Sequence, residues 1–314
     1  MLGKTAGSIF WMYRYLERAE NIARLLEAGA RMALMRGAGS AGDEWRSILI
    51  TLGQQQSYEA AHDDYTGMQA INFVLRGQDN PLSVLSMIEL ARNNARASRT
   101  SITTEVWEAA NECWMAIKGL LRRPVGEANL AEVLYAIRRD ATQVRGATYG
   151  SMYRDEIYHF ARSGTYLERA DNTARILDVK YHLLLPSYSH VGSTMDTGQW
   201  DNVLRALSAR RAHRTLNAGH GDARSIAELL ILDPGFPRSV SFCYDALSAN
   251  LSALTDLHGT DCESDRLMQE AESWISESTI DSIFDTGLHE VLTGFIAKNQ
   301  AIAEAISTDY RFID

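Results

Sequence analysis

The chain has 314 residues, enough to bury a large core, and a formal charge of −9 at neutral pH, which opposes a general affinity for nucleic-acid phosphates. Its three cysteines, Cys113, Cys243 and Cys262, are scattered and odd in number; that excludes a disulfide framework or zinc knuckle as the organising principle and suits a reducing, cytoplasmic setting. No stretch approaches the roughly 20 apolar residues of a membrane span and the N-terminal residues lack a signal-peptide pattern, so neither membrane nor nucleic acid is an expected partner.

Only five prolines occur, at 81, 124, 186, 234 and 237, and the segments between them lack sustained period-2 alternation, so the expected fold class is all-α. Arginine outnumbers lysine 27 to 4. The guanidinium fork suits bidentate contacts to carboxylates or phosphates, but an arginine-favouring genome explains the ratio equally well.

The first predicted helix carries an apolar stripe of Ile9, Met12, Leu16, Ala19, Ala23, Leu26 and Ala30, with Arg14, Glu17, Arg18, Asn21 and Arg24 on the other side. It runs to about Arg36 and stops at "GAGSAG". That hexapeptide, Gly37 to Gly42, fits G-x-G-x-x-G but follows a helix where a dinucleotide site needs a strand; "GKT" at Gly3 likewise has no strand or leading glycine to make a P-loop. Further breaks fall at "GQDNP", "RRPVGE", "LPSYSHVGSTMDTGQ", "AGHGD", "DPGFP" and "HGTDCES". Asn80 as N-cap with Pro81 at the first helical position predicts a helix start there.

On that helix Arg92, Arg96 and Arg99 stand at i, i+4 and i+7, leading towards Glu105 and Trp107. The stripe is either a solvated face or an anion-binding edge that takes an acidic partner helix. Cys113 and Cys243 lie in apolar, helical surroundings without a neighbouring histidine and read as buried and inert. Ser239, before another predicted helix, reads as its N-cap, with an anion site beside Arg238 as the alternative.

"YRYLERAENIARLLE" from Tyr13 is nearly repeated by "TYLERADNTARILD" from Thr165, 151 residues on by the matching tyrosines. Trp45-x-x-Ile48-Leu49 matches Trp200-x-x-Val203-Leu204 at an offset of 155, and Pro81-x-Ser83-Val84 with Asn94 matches Pro237-x-Ser239-Val240 with Asn250 at 156. Collinear matches at nearly constant spacing imply a tandem duplication: a first helical repeat over 1–150 and a second over 151–314, packed as one large bundle with a pseudo-two-fold relation.

Aligned on itself, the chain keeps Glu17/Glu168, Arg18/Arg169, Asn21/Asn172 and Arg24/Arg175 identical. In one reading Glu20–Arg24 and Asp171–Arg175 are ordinary i,i+4 pairs, while Glu17 and Glu168 reach arginines of the opposite half. In the other, the two faces form a shared polar pocket in which arginine clamps a carboxylate or phosphate and glutamate accepts from an amine. The E-x-x-H spacings Glu59–His62 and Glu156–His159 resemble the ligand pairs of helical metal sites, which Glu17 or Glu105 would complete. Neither spacing is duplicated, and no metal ligand is assigned.

With these residues in view, the sequence resembles the bacterial Alpha-E family, helical proteins named for the recurring Glu-Arg motif. The resemblance spans nearly the whole chain through "GSIFWMYRYLERAENIARLLE", "ARNNARASRTSITTEVWEAAN", "YLERADNTARILD", "LLLPS", "FPRSVSF" and "GLHEVL". It implies an all-helical protein encoded beside, or fused to, a circularly permuted ATP-grasp protein and a transglutaminase-like peptidase, in systems that make or modify peptides by amide ligation. It assigns no activity to the helical protein itself. Asn93 replaces the glutamate of the family's Arg-Glu-Asn-Ala-Arg stretch.

Together these readings lead to an accessory protein of an ATP-grasp-type peptide or amide ligase, with no cofactor of its own. It would position an acidic small molecule or peptide through Glu17, Arg18, Asn21, Arg24, Glu168, Arg169, Asn172, Arg175 and the Arg92, Arg96, Arg99 stripe. A stand-alone carboxylate/histidine metalloenzyme and a purely structural scaffold are the alternatives.

Overall fold

In the computed structural model, which describes residues 3–36, 41–183, 194–217, 221–259 and 262–312, the stripe begun at Ile9 is the buried face of one long helix, α1 (Gly3–Arg36). Ile9, Met12, Leu16, Ala19, Ala23 and Leu26 are each at most 1% exposed. The described residues form fifteen helices and no strand. Contacts divide the chain into two compact units, residues 4–164 and 165–314. The division falls inside helix α8 (Glu156–Leu183).

Unit 4–164 continues with α2 (Ala41–Thr51), α3 (Gln55–Glu59), α4 (Gly67–Arg76), α5 (Val84–Ala97), α6 (Thr104–Leu120) and α7 (Glu127–Ser151). Helices α5 and α6 form an αα-hairpin across a short turn, and α6 packs along α7. Met87, Ile88, Ala91 and Ala95 of α5 are buried, as are Val106, Ala110, Cys113 and Ile117 of α6 and Val133, Ile137, Ala141 and Val144 of α7. Their three- and four-residue spacing is what turns one side of each helix into core.

The predicted helix start at Asn80 is corrected by three residues. The N-cap is Ser83, whose hydroxyl accepts from Ser86 N at 3.3 Å, and the helix begins at Val84. Asn80 is buried and otherwise engaged: its Oδ1 accepts from Leu82 N at 3.0 Å, and its Nδ2 donates to Gln54 Oε1 at 2.8 Å and to Phe73 O at 3.1 Å. Proline at 81 therefore rigidifies the approach turn and does not open the helix.

Unit 165–314 holds most of α8 and then α9 (Thr194–Ala206), α10 (Arg210–Leu216), α11 (Ala223–Ile231), α12 (Val240–His258), α13 (Glu263–Glu277), α14 (Ile280–Thr286) and α15 (Leu288–Asp309). Ser239 caps α12 as its sequence predicts, accepting from Phe242 N at 3.0 Å. The helix ends at Gly259, whose φ of 67° is the left-handed conformation that glycine adopts without a Cβ penalty. Helix α13 packs against both α12 and α15 around Leu247, Leu251, Leu254, Met268, Leu292 and Ile302, each at most 1% exposed. Residues 37–40 of "GAGSAG", 184–193 of the proline-serine linker, 218–220 and 260–261, where sequence breaks were expected, lie outside the described residues.

Candidate functional site: a buried Glu-Arg clamp and an exposed Arg-Trp ladder

The first Glu-Arg phrase lies on α1 inside unit 4–164, where its acidic groups are sealed. Glu17 and Glu20 are both 0% exposed and Asn21 is 2% exposed. Arg24 grips Glu20 by two bonds from one helical turn away, Nε at 3.0 Å and Nη2 at 2.7 Å. From α7, Arg145 reaches both carboxylates, with Nη1 3.1 Å from Glu17 and Nη2 bonded to Glu20. Two turns beyond Glu20 on α1, Glu27 takes Arg31 and Arg138, and Tyr13 at the other end hydrogen-bonds Thr148 of α7. Burial pushes the Tyr13 phenol up to about 12.

Arg145, which the sequence reading did not single out, belongs to the same unit as Glu17. It was missed because α1 and α7 are more than a hundred residues apart in sequence, and nothing local marks Arg145 among 27 arginines. Chemically, the cluster is a two-carboxylate, two-guanidinium clamp across two helices, with Arg18 half-buried at its edge. A buried cluster of this kind is sustained by its mutual pairing, and loss of any member exposes the others to an uncompensated low-dielectric setting.

The second phrase, on α8 in unit 165–314, is used differently. Glu168 is 3% exposed, Arg175 pairs with Asp171 at 2.6 and 3.3 Å, and Asn172 keeps its amide nitrogen buried without a hydrogen-bond partner among the described residues. Arg169 Nη1 donates to Pro237 O at 3.3 Å and Thr173 Oγ1 to Arg238 O at 2.7 Å. The phrase therefore pins the "DPGFPRS" turn that leads into α12. Asn299 of α15 donates to Leu167 O at 3.2 Å and accepts from Tyr244 OH of α12 at 3.3 Å, so one polar chain ties three helices together through the core.

The arginine stripe, Arg92 and Arg96 on α5 and Arg99 in the turn just after it, presents the opposite character. Arg96 and Arg99 are exposed and Arg92 is half-buried. The α5–α6 hairpin brings them against two indoles of α6: the Arg99 guanidinium stands 5.5 Å from the Trp107 ring centre, Arg92 stands 5.8 Å from Trp107 and 4.4 Å from Trp114, and Lys118 Nζ stands 4.5 Å from Trp114. Arg92 Nε also donates to Asn111 Oδ1 at 3.0 Å. The result is an alternating ladder, Arg99–Trp107–Arg92–Trp114–Lys118, in which each indole face lies against two cations, a contact worth ~0.5–2 kcal/mol each depending on exposure. Among the described residues no carboxylate lies within ion-pair distance of Arg92, Arg96, Arg99 or Lys118. Trp114 and Lys118 were not singled out from sequence, yet antiparallel pairing of a helical hairpin would have placed them opposite Arg92.

Of the metal-type spacings, Glu59 bonds to Tyr65 OH at 2.5 Å and Gln55 at 2.8 Å, while His62 packs on Tyr58 and Phe73. Glu105 lies on the exposed side of α6, and Glu156 and His159 occupy the first turn of α8. Among the described residues no three His, Cys, Asp or Glu side chains converge on one point. Cys113 and Cys243 are buried, and desolvation raises the Cys113 thiol to about 12.

What these observations define is an all-helical protein whose repeated Glu-Arg phrase lies buried within its helices. The chain belongs to the Alpha-E family, described as a predicted alpha-helical domain with a conserved ER motif, which matches residues 1–310. It is similar to uncharacterized proteins of Mycobacterium bovis and Mycobacterium tuberculosis, at 21% identity over 328 aligned positions, covering 97% of this chain and 36% of each relative. The chain thus spans about a third of the length of the curated relatives it matches. No solved structure matches it. No helix among the described residues is long and apolar enough to cross a membrane.

Proposed function

We propose that this chain is a cytoplasmic helical accessory module of an ATP-grasp-type peptide or amide ligase system that includes a transglutaminase-like protein. In this reading it holds an acidic or peptide substrate for a partner that brings ATP and Mg²⁺. One contrast carries it. The carboxylates of the Glu-Arg phrases are buried among helices, whereas Arg92, Arg96, Arg99 and Lys118 stand together on an accessible seam with no carboxylate partner among the described residues. Positioning therefore falls to the α5–α6 seam. Glu17, Arg18, Asn21 and Arg24 belong to the buried cluster of the same unit, and Glu168, Arg169, Asn172 and Arg175 belong to α8 in unit 165–314. Length supports the module reading as well, because in the relatives the matching segment is one part of a polypeptide nearly three times as long.

We also infer that the two halves descend from one duplicated helical unit. The collinear sequence matches support this, as do the serine caps Ser83 and Ser239, placed 156 residues apart and each accepting from the third residue of its helix.

The test is capture of the tagged chain from its native host, together with ligase turnover measured with and without it. Co-purification of an ATP-grasp protein and a change in turnover are expected. Absence of both rejects the reading.

A further inference from the structure

We infer that the Arg99–Trp107–Arg92–Trp114–Lys118 ladder is a docking surface for a short acidic polypeptide segment, carrying carboxylates around an apolar side chain, and that each chain offers one such surface. This deepens the positioning role given above to the α5–α6 seam, and does not depend on which enzyme supplies the segment.

The ladder is organised as a recognition surface would be. Arg24, Arg138, Arg145, Arg175 and Arg266 are each neutralised by a carboxylate. The seam instead gathers four cations, of which Arg92, Arg99 and Lys118 stand against indole rings and Arg96 is exposed beside them. A guanidinium stacked on an indole keeps its N–H edge free, so stacking fixes the plane while leaving the bidentate donors available to an incoming carboxylate. Fixing the side chains in advance removes rotamer entropy that binding would otherwise have to remove. The exposed acidic residues of α6, Glu105, Glu108 and Glu112, lie roughly 100–160° around the helix from Trp107 at 100° per residue, and so border the ladder without neutralising it.

Size and charge choose the occupant. From Trp107 to Lys118 the ladder is about 16 Å long, room for about five extended residues. Met115, 51% exposed at its edge, offers an apolar contact beside the cations, which suits a polypeptide side chain better than a phosphate backbone. The chain's overall charge of −9 opposes a long polyanion or an extended anionic membrane, whereas a short acidic segment meets only the strip.

The corresponding seam of the second half accounts for the single copy. At the 156-residue offset Arg92, Arg96 and Arg99 align with Ser248, Ser252 and Thr255 on α12. These hydroxyls line a groove of about 610 Å³ whose other wall is Asp265, Gln269, Glu272 and Arg266 of α13, the last neutralised by Glu263 and Glu270. Thr255 already donates to Asp265, and no cation stands at any of the three positions. The seam that is cationic in unit 4–164 is hydroxyl- and carboxylate-lined in unit 165–314, and it would repel the same ligand.

The test is fluorescence anisotropy of the full chain with a fluorescein-labelled hexapeptide, Glu-Asp-Phe-Glu-Glu-Leu, beside its Gln/Asn analogue. Binding at one site per chain, weakened by salt and at least about tenfold tighter for the acidic peptide, is expected, with a change in indole emission. Arg96→Glu with Arg99→Glu, both on exposed side chains, should weaken binding about tenfold or more with an unchanged melting temperature. The same charge change at Arg211→Glu with Arg214→Glu on α10 should weaken it far less. Equal binding of the neutral analogue, equal effects of the two double variants, two sites per chain, or tighter binding of anionic vesicles or of single-stranded DNA of matching charge would each overturn the inference. If the peptide binds but no ligase co-purifies, the ligase reading alone fails; if a ligase co-purifies equally with the Arg96→Glu, Arg99→Glu chain and the peptide does not bind, the docking surface alone fails.

Discussion

Replacing Arg145 by methionine removes the guanidinium that holds two fully buried carboxylates, Glu17 and Glu20, while retaining much of the side chain's apolar volume. Breaking a buried pair from one side typically costs about 3–5 kcal/mol, because the remaining charge stays desolvated. Two features place Arg145→Met near the lower end: Arg145 is itself 12% exposed, and Glu20 keeps Arg24 as a second partner. We therefore expect a loss of about 3 kcal/mol in urea unfolding followed by circular dichroism, with hydrogen exchange rising first in α1 and α7. Arg138→Met provides the scale. Its pair with Glu27 is about a quarter exposed on both sides, so the expected loss is about 1 kcal/mol or less. Combining Arg145→Met with Glu20→Gln should cost less than the sum of the two single changes, since the second removes a charge that the first stranded. Equal losses for Arg145→Met and Arg138→Met would refute the view that the clamp is a buried, mutually dependent network.

Three further outcomes are expected. Gly164→Ala should destabilise by about 1–3 kcal/mol by overpacking, because a Cβ there would lie 2.3 Å from the backbone oxygen of Phe10; thermal melting of the variant checks this, and a neutral effect would mean that α1 and α8 separate freely at this point. The Tyr13 phenol is neutral and buried when folded, with its proton affinity raised from 10 to about 12, so its contribution is complete below pH 10 and is lost as pH rises from 10 towards 12, amounting to about 3 kcal/mol across that window. Tyr13→Phe should remove this part of the alkaline slope at a cost of about 1 kcal/mol at neutral pH, where only the Thr148 hydrogen bond is lost; an unaltered slope in pH-dependent urea titrations would contradict the assignment. In thiol labelling of the native protein, the partly exposed Cys262 should react rapidly and the buried Cys113 and Cys243 only on unfolding, and rapid labelling of all three would refute the burial of α6 and α12.

The sequence alone determined that the protein is helical. The sparse prolines, the absence of period-2 alternation and the apolar stripe of α1 carried this, because helical periodicity is a local property that one chain segment displays by itself. It also marked the Glu-Arg phrase as repeated, and it gave the i,i+4 pairs Glu20–Arg24 and Asp171–Arg175 and the Ser239 cap, which involve residues within about one turn. One local signal misled: Asn80 before Pro81 has cap chemistry, but the buried hydrogen bonds of Asn80 to Gln54 and Phe73 use it for a turn and leave capping to Ser83. Only the tertiary structure brought distant partners to the repeated phrase, since these depend on which helix packs against it. Arg145 of α7 seals Glu17 and Glu20 in unit 4–164, whereas Arg169 and Thr173 of the second copy hold a turn in unit 165–314. Likewise, the spacing of Arg92, Arg96 and Arg99 showed a stripe, but the α5–α6 hairpin alone set it against Trp107 and Trp114, because identical helical phases become opposite surfaces according to the partner that buries one of them.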